Sequence, residues 1–267
     1  VIESEPAISW GTLYFLVTWS ASISGWAQLH GQRVNPDGTL PGSEIVISAG
    51  SHHHHYSAVS FGDTRWMVVW VQGTGSASDH NIYGQRLNMD GTLVGSEISI
   101  STTVQNECAV AICWTGTRWL VIWFEGQSGA GTNGKVYGQL VNSDGSLYGS
   151  AITICGTPTA ASYYGWGPAI AWQDTLALVV WPDARSGVRN IYGQYVKDDG
   201  SLSGENFIIS YSPNLQQRPG VNSNGSNFLV VYEQYDQTGN WEWHDIYGEI
   251  ITPGVGITEN RKSEIRN

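Results

Sequence analysis

Aromatic rings grouped with amides, carboxylates and imidazoles are the chemistry this sequence has to offer. Trp26, Tyr56, Tyr163, Tyr164, Trp166, Trp241 and Trp243, with His244, all fall in loops or at strand ends. Such groups suit a sugar: a flat π face stacks on the C–H face of a pyranose while polar neighbours take its hydroxyls. The competing use of each ring is packing over a rim. His52, His53, His54 and His55 run together, and on an extended chain alternate members point the same way, a set able to bind a transition metal or to serve as a polar loop. The carboxylates to weigh are Glu3, Glu5, Glu107, Glu125, Asp183 and Asp236, because glycoside hydrolysis needs two that converge. No G-x-S-x-G, P-loop, H-E-x-x-H or D-x-D-x-D-G pattern occurs. Asn224-Gly225-Ser226 is an N-glycosylation sequon.

The formal net charge is −11, with 12 Lys and Arg scattered over 267 residues. No basic stripe follows a phosphate backbone, so nucleic acid is not an expected partner. No apolar run reaches the roughly 18–20 residues needed to span a membrane as a helix. The three cysteines, Cys108, Cys113 and Cys155, leave an odd count and no zinc spacing. Cys113 reads as a small core residue, and a Cys108–Cys155 bridge is the one pairing to test. No cofactor is expected.

What positions these groups is a repeat. The phrase LHGQRVNPDGTL returns as IYGQRLNMDGTL, VYGQLVNSDGSL and IYGQYVKDDGSL, with a worn copy, IYGEIITPG. Its glycines are Gly31, Gly84, Gly138, Gly193 and Gly248, 53 to 55 residues apart. A period of this size points to a propeller or solenoid. Upstream of each phrase an apolar run ends in Trp19, Trp70, Trp123, Trp181 or Tyr232, and a shorter run precedes that. Each unit therefore holds four short strands separated by Gly, Asp and Asn turns. In the first strand, Ala7, Ala58, Ala111, Ala169 and Gly220 share one face with Ser9, Ser60, Cys113, Ala171 and Asn222. Small residues belong where innermost strands crowd round an axis. The expected fold is all-β: one domain over 1–267, a five-bladed β-propeller of four antiparallel strands per blade. The blades are about 1–50, 51–101, 102–156, 157–210 and 211–267. These axial positions carry no carboxylate.

The pattern LVVW–D–R–G–NIYGQ–V–DG, clearest at 178–200, resembles a β-propeller repeat of secreted and surface proteins of bacteria and archaea. It covers nearly the whole chain and implies an extracellular or cell-surface location. In architecture alone, five blades of this size are similar to the tachylectin-type lectins. The fifth repeat departs: Glu249 replaces Gln and Pro253-Gly254 replaces the Asp-Gly turn.

Function should lie where the copies differ. The connections between first and second strands, and between third and fourth, are near-uniform. Those from the second-strand aromatic to the hairpin glycine run 12, 14, 15, 12 and 16 residues and change in chemistry. Variable loops on a rigid scaffold are the usual place for binding. The leading expectation is a non-enzymatic module binding glycan or a surface protein through this face. The alternative is a structural subunit of a surface layer or filament, by self-assembly. The third is a glycoside hydrolase-like enzyme. The recurrent Gln32, Gln85, Gln139 and Gln194 are expected to satisfy backbone groups rather than ligands.

Overall fold

The computed structural model describes residues 2–23, 25–74, 80–126, 134–160, 167–235, 244–254 and 263–264. They form five consecutive antiparallel four-stranded meanders. The first is β1 (Glu3–Trp10), β2 (Phe15–Ile23), β3 (Trp26–Val34) and β4 (Ile45–Ser48). The second is β5 (His53–Gly62), β6 (Arg65–Gly73), β7 (Asn81–Asn88) and β8 (Leu93–Ser101). The third is β9 (Glu107–Trp114), β10 (Trp119–Glu125), β11 (Gly134–Val141) and β12 (Leu147–Ala160). The fourth is β13 (Ala169–Gln173), β14 (Leu176–Asp183), β15 (Asn190–Lys197) and β16 (Leu202–Ser210), joined to the third by one bridge, Ala160 to Asp183. The fifth is β17 (Gln216–Ser223), β18 (Phe228–Tyr235), β19 (His244–Ile251) and the two-residue β20 (Ser263–Glu264).

The repeated phrase explains itself locally. In each Asp-Gly turn the glycine takes φ between +85° and +90°, a region a side chain disfavours. The aspartate Oδ1 accepts from the backbone N–H two residues on, at Thr39, Thr92, Ser146 and Ser201. Each recurrent glutamine donates Nε2–H to carbonyls of its own and the next strand; Gln194 reaches Tyr195, Ser203 and Gly204. Gln32, Gln85 and Gln139 do the same. These are backbone staples.

Period-2 alternation in the second strands gives every sheet two apolar faces, and successive sheets pack one on the next. Leu16, Leu29 and Ile47 of the first sheet meet Trp66, Val68 and Trp70 of the second. Met67 and Val69 of the second meet Trp119, Val121 and Trp123 of the third. Leu120 and Ile122 then meet Ala177, Val179 and Trp181, and Leu178 and Val180 meet Phe228, Val230 and Tyr232. The first strands pack in the same succession, β1 on β5, β5 on β9, β9 on β13 and β13 on β17. The crowding is tight: a Cβ on Gly62 would lie 2.2 Å from the Trp114 ring.

The first and fifth sheets do not meet in this way. Leu16, Met67, Leu120 and Leu178 are 0% exposed, whereas Leu229, at the same place in the fifth sheet, is 42% exposed. Ile246 is likewise 42% exposed where Leu29, Ile82, Val136 and Ile191 are fully buried. On the facing side of the first sheet, Ile8 is exposed. Among the described residues four sheet-to-sheet interfaces are closed by apolar packing, and none of these clusters joins the first and fifth sheets, which leaves a seam there.

All three cysteines are free thiols and buried, so the Cys108–Cys155 bridge is not formed. Burial pushes the Cys113 thiol up, out of the range in which it would react.

Candidate functional site

Four of the five first strands begin with a bulge. The β1–β2 register shifts between Ser4 and Ala7, β5–β6 between His55 and Ala58, and β17–β18 between Gln217 and Gly220; β9–β10 shifts at the same level. At the bulge Glu5, Tyr56, Ala109 and Arg218 take φ of 58°, 52°, 53° and 51°. A non-glycine residue at positive φ is strained and marks a position fixed by its surroundings. The fifth member by sequence is Gly167, where a Cβ would meet that of Ala109 at 2.9 Å. Five equivalent dipeptides, four of them at bulges, face a common space: Glu5-Pro6, Tyr56-Ser57, Ala109-Val110, Gly167-Pro168 and Arg218-Pro219 together line a cavity of about 590 Å³.

Two of these five positions are charged. Glu5 accepts on Oε2 from the Tyr56 N–H at 2.8 Å and the Ser20 hydroxyl at 3.3 Å, and His55 Nδ1 lies 3.5 Å from the same oxygen. Among the described residues Oε1 takes no hydrogen bond. Burial pushes this carboxyl upward, but the bonds from His55 and Tyr56 outweigh it and hold Glu5 below the ordinary carboxylate value. Across the cavity Arg218 Nη1 donates to Glu233 Oε1 at 2.8 Å, while Gln217 donates to Oε2 at 3.2 Å and His244 Nδ1 lies 3.4 Å from it. Glu233 too is pushed up by burial and held below the ordinary value by Arg218 and Gln217. The site thus carries two ionised carboxylates, each with its own cation or imidazole.

Two residues before each bulge lies a second, inward set. Glu107 accepts on Oε2 from the Ile82 N–H of the preceding sheet, and Gln216 on Oε1 from the equivalent Ile191 N–H. His54 donates Nδ1–H to the Ala27 carbonyl. Six residues earlier in each case a serine, Ser101, Ser210 or Ser48, bonds the same side chain. Glu107, Gln216 and His54 are almost fully buried. These residues tie one sheet to the next.

Sequence reasoning put the axial positions further along the first strand and found no carboxylate there. The bulge corrects this: it is Glu5, not the downstream Ala and Ser, that reaches the cavity. Glu107 is a buried tie. Asp183 is also fully buried and closed, bonded by the Trp181 Nε1–H at 2.9 Å and Arg185 Nη2 at 2.7 Å. Glu233 was missed, lying in a second strand among apolar neighbours. Of the expected aromatic set, Tyr56 lines the cavity, Trp26 stands at the start of β3, and His244 lies against Tyr235 with ring centres 4.0 Å apart and planes tilted by 44°. Tyr163, Tyr164, Trp166, Trp241, Trp243 and Asp236 lie outside the described residues. His53 and His55 do stack side by side, at 5.5 Å and 13°, with His54 turned into the interior. Among the described residues, however, no group of three His, Cys, Asp or Glu side chains is placed to hold a metal. Asn224 sits in the exposed turn between β17 and β18, its Oδ1 accepting from the N–H groups of Ser226 and Asn227.

No protein-family model and no curated protein sequence matches the chain. Solved structures do. An endo-arabinase from Bacteroides thetaiotaomicron superposes with a TM-score of 0.55 at 9% identity, over 94% of this chain and 94% of that one. An exo-1,5-α-L-arabinanase from a bovine ruminal metagenomic library gives 0.52 at 11%, over 98% and 96%. A Trypanosoma rangeli sialidase, held as a covalent intermediate with 2,3-difluorosialic acid, gives 0.61 at 9%, over 93% of this chain and 46% of that. These likenesses establish a shared all-β fold. They also run against the expectation of a non-enzymatic module, lectin-like or structural: the three structures named are an arabinase, an arabinanase and a sialidase.

Proposed function

We propose that the chain is a glycoside hydrolase on a five-bladed β-propeller, acting in the cavity of Glu5, Tyr56 and Arg218. The observation that carries this is the convergence of five equivalent dipeptides, one from the start of each first strand, on one cavity. Five units can share one space in this way when they stand round an axis, which supports the propeller. The charged pair at the mouth supports the chemistry. Glu5, ionised and with its described partners all on Oε2, is the base or nucleophile toward the anomeric carbon or its attacking water. His55, hydrogen-bonded to Glu5, is the proton carrier of the pair. Arg218 and Glu233 orient sugar hydroxyls, and Tyr56 offers a ring face. The glycan is the partner, and the repeat's resemblance to secreted propeller repeats supports work outside the cell.

Hydrolysis of α-1,5-arabinan and a panel of p-nitrophenyl glycosides tests the reading. The expected result is turnover of at least one substrate, cut at least about 10²-fold by Glu5→Gln, with the melting temperature held within about 2 °C. No turnover on any substrate, or a fully active Glu5→Gln, overturns it.

A further inference from the structure

A row of rings leads away from the cavity along the junction of the first two sheets. Tyr56, on the cavity wall, lies 5.9 Å from His55. His55 stacks on His53 at 5.5 Å, and His53 meets Trp26 at 5.0 Å. The row is held in place. The Ala27 N–H donates to His53 Nδ1 at 3.2 Å, which fixes that imidazole as the neutral Nε2–H tautomer. The bond from His55 Nδ1 to Glu5 fixes the next ring. The rings are not core: Trp26, His53, His55 and Tyr56 are all half-buried, and the His55 side chain is 37% exposed, while their neighbour His54 is 2% exposed. Strand pleating accounts for the split, since His53 and His55 share a face and His54 takes the other.

Resting on the hydrolase reading above, we infer that Trp26, His53, His55 and Tyr56 are a platform for successive residues of a neutral glycan chain whose reactive bond lies at Glu5. Consecutive ring centres stand 5.0, 5.5 and 5.9 Å apart with planes turned by 49°, 13° and 44°, so the row is a stepped one, longer than a single sugar ring. Aromatic faces take the C–H faces of sugars, and the imidazole edges offer hydrogen bonds to hydroxyls. The net charge of −11 and the ionised Glu5 on the cavity wall disfavour a polyanionic chain. The substrate is therefore an oligomer or polymer rather than a terminal monosaccharide glycoside.

Titration calorimetry with α-1,5-linked arabinose and the parallel β-1,4-xylose series, from mono- to trisaccharide, tests this in the Glu5→Gln background, where ligands survive. Affinity is expected to climb with chain length in one series. Trp26→Ala should cut the tri- to monosaccharide affinity ratio about tenfold, and Trp26→Tyr should recover most of it. Trp10→Ala, an exposed tryptophan at the other end of the first sheet, should leave the ratio unchanged. No length preference in either series, or the same ratio in Trp26→Ala, overturns the platform. Hydrolysis by the wild type is read separately. A length preference that Trp26→Ala abolishes, without turnover of any substrate, sinks the hydrolase and keeps the platform; turnover with no length preference does the reverse.

Discussion

Two sets of residues start the first strands, two positions apart, and meet opposite fates. His54, Glu107 and Gln216 turn inward and bond the preceding sheet; Glu5, Tyr56 and Arg218 turn to the cavity. In a regular strand residues two apart share a face. Here the bulge, with its positive-φ residue, breaks that rule and separates the residues that tie sheet to sheet from those that face the cavity. The inward set tolerates a base, an acid or an amide as long as one atom meets the neighbouring backbone. The cavity set is under no such demand, so Ala109 and Gly167 sit among charged members. The inward set also stops at the seam: Glu3, its sequence equivalent in the first sheet, is exposed.

The comparison breaks first if Glu5→Gln, which leaves the fold intact, fails to remove turnover; a hundredfold loss is about 2.7 kcal/mol of barrier. The seam is tested next. Leu178→Ala should cost about 2.5 kcal/mol in urea unfolding, as a buried leucine does, and Leu229→Ala less than about 1 kcal/mol. Equal costs would mean the first and fifth sheets close in solution. Gln216→Leu should then destabilise by about 2 kcal/mol, because the Ile191 N–H loses its acceptor, with kcat retained. A variant that loses turnover but not stability would place Gln216 with the cavity set instead.

Smallest are the pH effects, which have opposite signs within one set. Burial raises the Glu107 carboxyl above 4.5, so its contribution is full below that pH and is lost as pH rises through the raised value. Burial lowers the His54 imidazole below 6.5, so its contribution is full above 6.5 and is lost as pH falls through the lowered value. Glu107→Gln, copying Gln216, is expected to flatten the first slope and His54→Gln the second in melting-temperature profiles from pH 4 to 8. An unchanged slope in either variant would remove that residue from the inward set.

Much was legible in advance. The 53 to 55-residue period, the Asp-Gly turns and the alternating second strands are local chemistry, and they specify five four-stranded antiparallel units. The glutamine staples followed from the same logic, because a side chain beside the strand glycine meets carbonyls of its own hairpin. The site was legible only in part. Tyr56 was picked out as an aromatic near a loop, whereas Glu5 was one of several carboxylates ahead of a first strand with nothing to single it out, and Glu233 was hidden within a strand. A one-residue bulge leaves no mark in an apolar–polar pattern, yet it reverses which side chain faces the axis.

The sequence by itself determined the unit and its number, because turns, pleat and strand length depend on residues within one repeat. Only the tertiary structure decided which charged side chains share a space, since Glu5 and Arg218 are brought to one cavity from opposite ends of the chain by the packing of all five sheets. It likewise decided that the last interface differs from the other four. That depends on how the first and fifth sheets meet, and the chain passes directly between neighbours everywhere but there.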